Sequence, residues 1–156
     1  MDPEQLMRHA IAAARQGIES GQSPFGCAIA RGPHLVACQH NVVLASTDIT
    51  AHAEVTALRA ACHKLGRVLL DDCIAASTCE PCPMCMAALH WARVRVVYFG
   101  ATIDDAAAAG FNELRLPAQQ VLELGNSKVQ LVPGVLRDEC RELFEVWRQT
   151  PNHQTY

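Results

Sequence analysis

Apolar residues recur along this chain in two kinds of pattern, one typical of helices and the other of buried strands. The first twenty residues follow the helical pattern, with apolar side chains at Leu6, Ala10, Ile11, Ala14 and Ile18. Asp2 can cap this helix, Pro3 fits its first position, and Gly21 lies just past its end. The chain is therefore predicted to begin with an amphipathic helix.

Short apolar runs bounded by turn residues predict five strands, over residues 25–30, 35–44, 73–77, 94–99 and 128–132. The turn at residues 32–34 joins the first two as a hairpin. Helical spacing returns over residues 51–65, from the prolines at 81 and 83 to Trp91, and over 134–148, with short helices expected within 101–125. Thr50 is expected to cap the second helix and Gly66 to end it. This order predicts a central sheet with helices on both faces.

Composition supports a single folded domain over residues 1–156 and argues against several other classes of protein. Half of the residues are hydrophobic and 19% are charged, which favours a packed core over disorder. The formal net charge of −3 leaves no excess of lysine and arginine for gripping nucleic acid. No apolar run reaches the length of a membrane span, and the N-terminus does not read as a signal peptide. We therefore expect a cytoplasmic protein that binds neither nucleic acid nor membrane.

The eight cysteines divide into two groups by their spacing. Five lie singly in apolar stretches: Cys27, Cys38, Cys62, Cys73 and Cys140. Buried free cysteine behaves as a small hydrophobe, so these five are predicted to be reduced core residues. The other three, Cys79, Cys82 and Cys85, lie close together and require a different interpretation.

Cys82 and Cys85 are three residues apart at the start of a predicted helix, so their sulfurs face the same way. His52 lies at the start of another predicted helix. Two thiolates and an imidazole are zinc ligands, and three protein ligands leave the fourth position open for water, as in catalytic sites. Glu54, two residues after His52, is placed to exchange protons with that water.

The three clustered cysteines also fit three competing roles. A Cys-x-x-Cys pair can be a redox couple, although that would leave His52 and Glu54 without a role. Cys79 could be the fourth ligand of a structural zinc site. The three cysteines also resemble half of an iron–sulfur motif, whose further cysteines are missing here.

Several segments together resemble the zinc-dependent cytidine deaminase-like superfamily, whose signature is His-x-Glu followed by Pro-Cys-x-x-Cys. They are residues 24–26, Asn41, 50–54, 79–85 and 91–93. Within that superfamily the chain is most similar to small bacterial guanine deaminases, through residues 55–59, 104–113 and an end that runs from Phe144 to Tyr156. One departure is Glu113, where those enzymes usually carry an aspartate.

The resemblance implies a three-layer α/β/α fold with a central five-stranded mixed sheet, and the conversion of guanine and water to xanthine and ammonia. Zinc would be held by His52, Cys82 and Cys85. Glu54 would take a proton from water, protonate N3 of the ring, and then protonate the departing amino group.

The same resemblance implies the substrate contacts. Asn41 would recognise the ring, Phe25 would stack on it, Trp91 would wall the pocket, and Glu113 would hold the N1–H and 2-amino edge. Ala53 is also expected among the substrate-binding residues. Residues 151–156 would form a tail exchanged between two subunits of a homodimer, so that Tyr156 closes the partner's pocket and Pro151 serves as the hinge.

Three other functions remain as alternatives. A tRNA adenosine deaminase shares the zinc motifs, but residues 120–156 carry four basic and five acidic side chains, a poor grip on RNA. A cytosine or cytidine deaminase is the second. The third is a zinc-binding module without activity, for which Glu54→Gln would change only the charge.

Overall fold

The computed structural model describes all 156 residues and contains seven helices and five strands. In chain order they are α1 Pro3–Glu19, β1 Gly26–Arg31, β2 His34–His40, α2 Val43–Ser46, α3 Ala53–Leu65, β3 Cys73–Cys79, α4 Pro83–Trp91, β4 Val96–Ala101, α5 Ile103–Ala108, α6 Ala118–Leu124, β5 Gln130–Val132 and α7 Arg137–Arg148. The predicted order of the main elements is confirmed, and α2 is an addition to it.

The five strands form one mixed sheet in the order β2-β1-β3-β4-β5. The predicted hairpin is confirmed, because β1 pairs antiparallel with β2. β1 also pairs antiparallel with β3, whereas β3–β4 and β4–β5 are parallel. The carboxyl ends of β3 and β4 therefore meet at one edge of the sheet, where helices that follow parallel strands begin.

Helices cover both faces of the sheet, so the predicted three-layer fold is confirmed. One core cluster packs α3, α4 and α6 against one face, and the other packs α1, α5 and α7 against the opposite face. Side chains of a strand alternate between the two: Cys27 and Ile29 of β1 belong to the first cluster, Ala28 and Ala30 to the second.

α1 lies close against β1 because Gly26 has no side chain. A Cβ atom at this position would overlap the backbone of Ala10 and Ala14 in α1. The start of α1 matches the prediction, with the Asp2 carboxylate accepting from the backbone amides of Glu4 and Gln5.

Several boundaries differ from the predicted ones, among them the end of β2, the start of α3 and the start of the last helix. β2 ends at His40, and residues 43–46 form the short α2 in place of the predicted end of the strand. α3 begins at Ala53 with His52 as its N-cap residue, so the predicted cap, Thr50, lies two residues before the N-cap position, and its hydroxyl donates to Asp48. The last helix begins at Arg137, after Gly134 and Leu136 adopt positive φ angles.

The five scattered cysteines are free, as predicted, but only three are fully buried. Cys27, Cys73 and Cys140 are buried, whereas Cys38 and Cys62 are half-buried. None of the helices is both long and apolar enough to cross a bilayer.

Candidate metal centre and its pocket

Two helix starts and the end of one strand meet at a single point of the fold. His52 is the N-cap residue of α3, and Cys82 is the N-cap residue of α4. Cys85 lies in the first turn of α4 and is fully buried. Pro83 fits the first position of α4, where its missing N–H costs no helical hydrogen bond. The topology thus brings together motifs that lie about thirty residues apart in the sequence.

The three donor atoms converge as a metal ion requires. Nδ1 of His52 lies 3.7 Å from the sulfur of Cys82 and 3.5 Å from the sulfur of Cys85. All three donors lie within 4.8 Å of one another. One imidazole and two thiols are a donor set that zinc prefers, and three ligands leave a fourth position open.

Cys79 stands outside this set although it is near in sequence. Its thiol donates to the carbonyl oxygen of Thr102 at 3.5 Å, and the side chain is buried. This geometry speaks against a structural site with four ligands.

Local hydrogen bonds favour a thiolate at Cys82. Hydrogen bonding from Cys85, and then from His52, lowers the pKa of Cys82 to about 4 despite the opposing effect of burial. The pKa of Cys85 is raised because its thiol donates to that thiolate and because it is buried. Burial alone would lower the pKa of His52, but the hydrogen bond to Cys82 and the charge of Glu54 raise it.

Glu54 lies in the first turn of α3 with only 6% of its surface exposed. The hydroxyl of Ser77 donates to its Oε1 atom at 2.8 Å. Burial raises the pKa of Glu54, and the charge of Cys82 raises it further. A carboxyl group with a raised pKa beside a metal centre is suited to accept a proton and return it.

A small cavity of about 30 Å³ adjoins the metal centre. Its lining includes seven of the ten residues predicted to form the site: Phe25, Asn41, His52, Glu54, Cys82, Glu113 and Tyr156. Cys85 lies just behind them as the third metal donor. The structure therefore brings eight of the ten predicted residues to one place.

The far end of the chain closes this cavity. Asn41 is fully buried, and its amide nitrogen donates to the hydroxyl of Tyr156 at 2.6 Å. Its Oδ1 atom accepts from the backbone amide of Val43 at 3.1 Å, which fixes the orientation of the amide. The Tyr156 ring lies 5.8 Å from the His52 ring and 6.0 Å from the Phe111 ring. In this structure the tail thus covers the site of its own chain.

Glu113 reaches the cavity from the segment between α5 and α6. Burial raises the pKa of its carboxyl group, with a further contribution from Cys82. Glu80 holds the starts of the two helices that flank this segment, because its carboxylate accepts from the backbone amides of Ile103 at 3.2 Å and Ala118 at 2.8 Å. These two amides begin α5 and α6, where a carboxylate also favours the helix dipole.

Phe25 forms part of an aromatic cluster beneath the cavity. Its ring packs edge-on against Phe111 at 4.9 Å and against Phe144 at 5.9 Å. These contacts hold the ring in place while it still lines the cavity.

Two predicted contacts are not brought to the cavity. Trp91 is 77% exposed at the end of α4, so the prediction that it walls this pocket is wrong for the single chain. α4 points its first turn at the metal centre, and Trp91 lies nine residues after Cys82, about 13 Å along the helix. Ala53 is fully buried in the core cluster of α3, and its side chain does not line the cavity.

The sequence gives no role to Ser77 or Glu80, and it suggests Cys79 only as a fourth metal ligand. Cys79 and Glu80 line the cavity, and Ser77 bonds to Glu54. All three lie shortly before Cys82, at or just after the end of β3. For Glu80, that position directly before the zinc motif was a usable signal.

Known proteins resemble this chain both in sequence and in structure. The family described as "Cytidine and deoxycytidylate deaminase zinc-binding region" matches residues 1–101. The guanine deaminase of Bacillus subtilis is 38% identical to this chain, over the full length of both. The tRNA-specific adenosine deaminase of the same organism is 32% identical over 88% of this chain and 83% of its own. The solved structure of the guanine deaminase from Nitrosomonas europaea superposes with a TM-score of 0.88 at 29% identity, covering 96% of this chain and 86% of that one.

Proposed function

The chain belongs to the cytidine and deoxycytidylate deaminase family of zinc enzymes, and from this premise we propose that it converts guanine and water to xanthine and ammonia. The observation that carries the proposal is the meeting of a zinc donor set, a buried proton carrier and a second carboxylate, Glu113, in one closed cavity. The full-length similarity to a guanine deaminase supports the same substrate.

His52, Cys82 and Cys85 would hold zinc, which would supply a Lewis acid that lowers the pKa of water at the site. Glu54 takes a proton from the water that adds at C2 of guanine and passes it to N3 of the ring. Glu54 then takes the second proton of that water from the hydroxyl now on C2 and gives it to the amino group. The C2–N bond breaks, ammonia leaves and C2 becomes the carbonyl of xanthine. The burial of Glu54 favours this cycle, because burial penalises the charged carboxylate and so makes the protonated form easier to reach.

Two groups recognise the guanine ring in this proposal. Glu113 accepts hydrogens from the N1–H and 2-amino edge, which adenine lacks. The amide nitrogen of Asn41 donates to an acceptor atom of the ring, which takes the place of the Tyr156 hydroxyl as its partner. The amide oxygen of Asn41 continues to accept from the backbone amide of Val43. Phe25 offers its face to the ring from within the aromatic cluster.

We propose that the protein works as a homodimer in which residues 151–156 exchange between subunits. The contacts of Tyr156 in one chain can be made by the same residue of a second copy, since exchange preserves every contact. Pro151 lies three residues after the end of α7, and it provides the hinge at which the tail of one subunit can turn towards the other subunit. The proposed role of the tail is to exclude water from the site during reaction.

The proposed setting is purine catabolism in the cytoplasm. A centre with two cysteine ligands needs reduced thiols, and all eight cysteines of this chain are free. The proposed partners are a small purine and a second copy of the chain, without nucleic acid or membrane.

A tRNA adenosine deaminase is the second candidate, because one such enzyme is 32% identical to this chain. The last helix argues against it. Arg137 and Arg141 are both paired with Asp105, and Arg148 is paired with Glu145, so α7 offers no free cation to an RNA backbone.

The proposal is tested by ammonia release from guanine, guanosine, adenine, cytosine and tRNA. Guanine is expected to be the fastest substrate, and the Glu54→Gln variant should keep its zinc and fold but lose at least about 10²-fold in rate. Glu113→Gln should weaken guanine turnover, because the glutamine leaves part of the buried N1–H and 2-amino edge of guanine without a hydrogen-bond acceptor, at a cost of about 1–3 kcal/mol. Faster release from tRNA or cytosine than from guanine would overturn the choice of substrate.

A further inference from the structure

Ser77 makes a buried hydrogen bond that links the end of β3 to the first turn of α3. Its side chain is 2% exposed, and the partner, Glu54, is 6% exposed. The hydroxyl of Ser77 makes one side-chain hydrogen bond, which it donates to Oε1 of Glu54 at 2.8 Å.

The place of Ser77 in its strand argues against a purely structural role. Cys73 and Ala75 precede it in the same row of β3 and pack into the core cluster below α3. Thr78 points to the other face, where its hydroxyl accepts from the backbone amide of Gly26. An alanine would continue the apolar row without leaving a hydroxyl to satisfy, so the hydroxyl at position 77 is explained by its partner.

A glutamate that carries protons must keep one orientation between two transfers. Its side chain has three rotatable bonds, and proton transfer requires an oxygen within hydrogen-bond reach of donor and acceptor. We propose that Ser77 is a positioning residue that fixes Oε1 of Glu54, so that Oε2 remains the oxygen that exchanges the proton. This inference rests on the proposed function, in which Glu54 carries that proton.

The test compares Ser77→Ala with Ser77→Thr and with a matched control, Ser23→Ala. Ser23 is also fully buried, but its hydroxyl has no hydrogen-bond partner. Ser77→Ala is expected to lower kcat for guanine about tenfold or more, with KM within about twofold and zinc content unchanged. Ser77→Thr keeps a hydroxyl and should restore most of kcat, while Ser23→Ala should leave both constants unchanged. If the alanine variant fails to fold, Ser77→Cys, with a weaker donor of similar volume, should give an intermediate kcat.

A second comparison separates positioning from packing. In the Glu54→Gln background, Ser77→Ala should cost nothing further in the residual rate, because its effect acts through Glu54. The inference would be overturned, and the proposed function left standing, by either of two results. One is an equal loss of rate from Ser77→Ala in both backgrounds, and the other is an unchanged kcat for Ser77→Ala beside an active wild-type protein. A wild-type protein that releases no ammonia from guanine would overturn the proposed function and this inference with it.

Discussion

Single residues of this chain divide sharply between metal binding and packing, even where they share a residue type and a motif. Cys79 and Cys82 are three residues apart, yet the thiol of Cys79 donates to Thr102 whereas Cys82 faces His52. We therefore expect Cys82→Ser to lose zinc and Cys79→Ser to retain about one zinc per chain. Metal analysis of protein purified without chelator measures both, and equal zinc contents in the two variants would show that the ligand set is wrong.

At the scale of elements, Glu80 joins the starts of α5 and α6, the two helices that flank the segment carrying Glu113. Replacing it with alanine leaves the amides of Ile103 and Ala118 without their acceptor, at a cost of about 1–3 kcal/mol each if they stay buried. Glu80→Ala is expected to raise KM for guanine more than it lowers kcat, and to speed hydrogen exchange at these two amides. Glu145→Ala, which removes only an exposed ion pair with Arg148, is the control. Unchanged exchange at both amides would contradict the role of Glu80.

The sequence predicted the elements well because their periods, caps and breakers are local. Gly66 ends α3 in a left-handed conformation, as its position after the last apolar residue indicates. The same local rule predicts Thr50 as a cap, and this prediction is wrong because α3 begins two residues later than predicted, with His52 at the N-cap position. The metal donors were predictable because each motif is compact.

Contacts between distant segments were the part that local patterns could not give. Ser77 and Glu54 are 23 residues apart, and Asn41 and Tyr156 are 115 residues apart. The prediction for Trp91 has the opposite error. The resemblance predicts a contact with the cavity, whereas the length of α4 places Trp91 on the surface. Only the packing of elements decides such distances.

For the whole molecule, the tail is the segment whose loss should affect function and not the fold. Residues 151–155 contribute no core, and Tyr156 contributes its contacts to the site. Deleting residues 151–156 is expected to lower kcat for guanine at least about tenfold, because an open site admits water, while Tm changes by only a few degrees. Full activity of the shortened chain would exclude a closing role for the tail.

Exchange of the tail between two copies has its own measurement. Mixing the Glu54→Gln chain, whose tail is intact, with the shortened chain, whose Glu54 is intact, should restore activity after partial unfolding and refolding. Two inactive proteins that stay inactive after refolding together, and run as monomers by sedimentation, would show that each tail serves its own chain.

In the proposed recognition of guanine, the Tyr156 hydroxyl and the purine ring compete for the amide nitrogen of Asn41. The cavity of about 30 Å³ that remains beside Tyr156 is too small for a purine, so a purine can bind only the fraction of molecules in which Tyr156 has moved away from Asn41. The apparent dissociation constant then equals the intrinsic one divided by that fraction, and a tail open for one-tenth of the time weakens binding about tenfold. Substitutions in residues 151–155, which do not line the cavity, can therefore tune the affinity for purine by shifting this population alone.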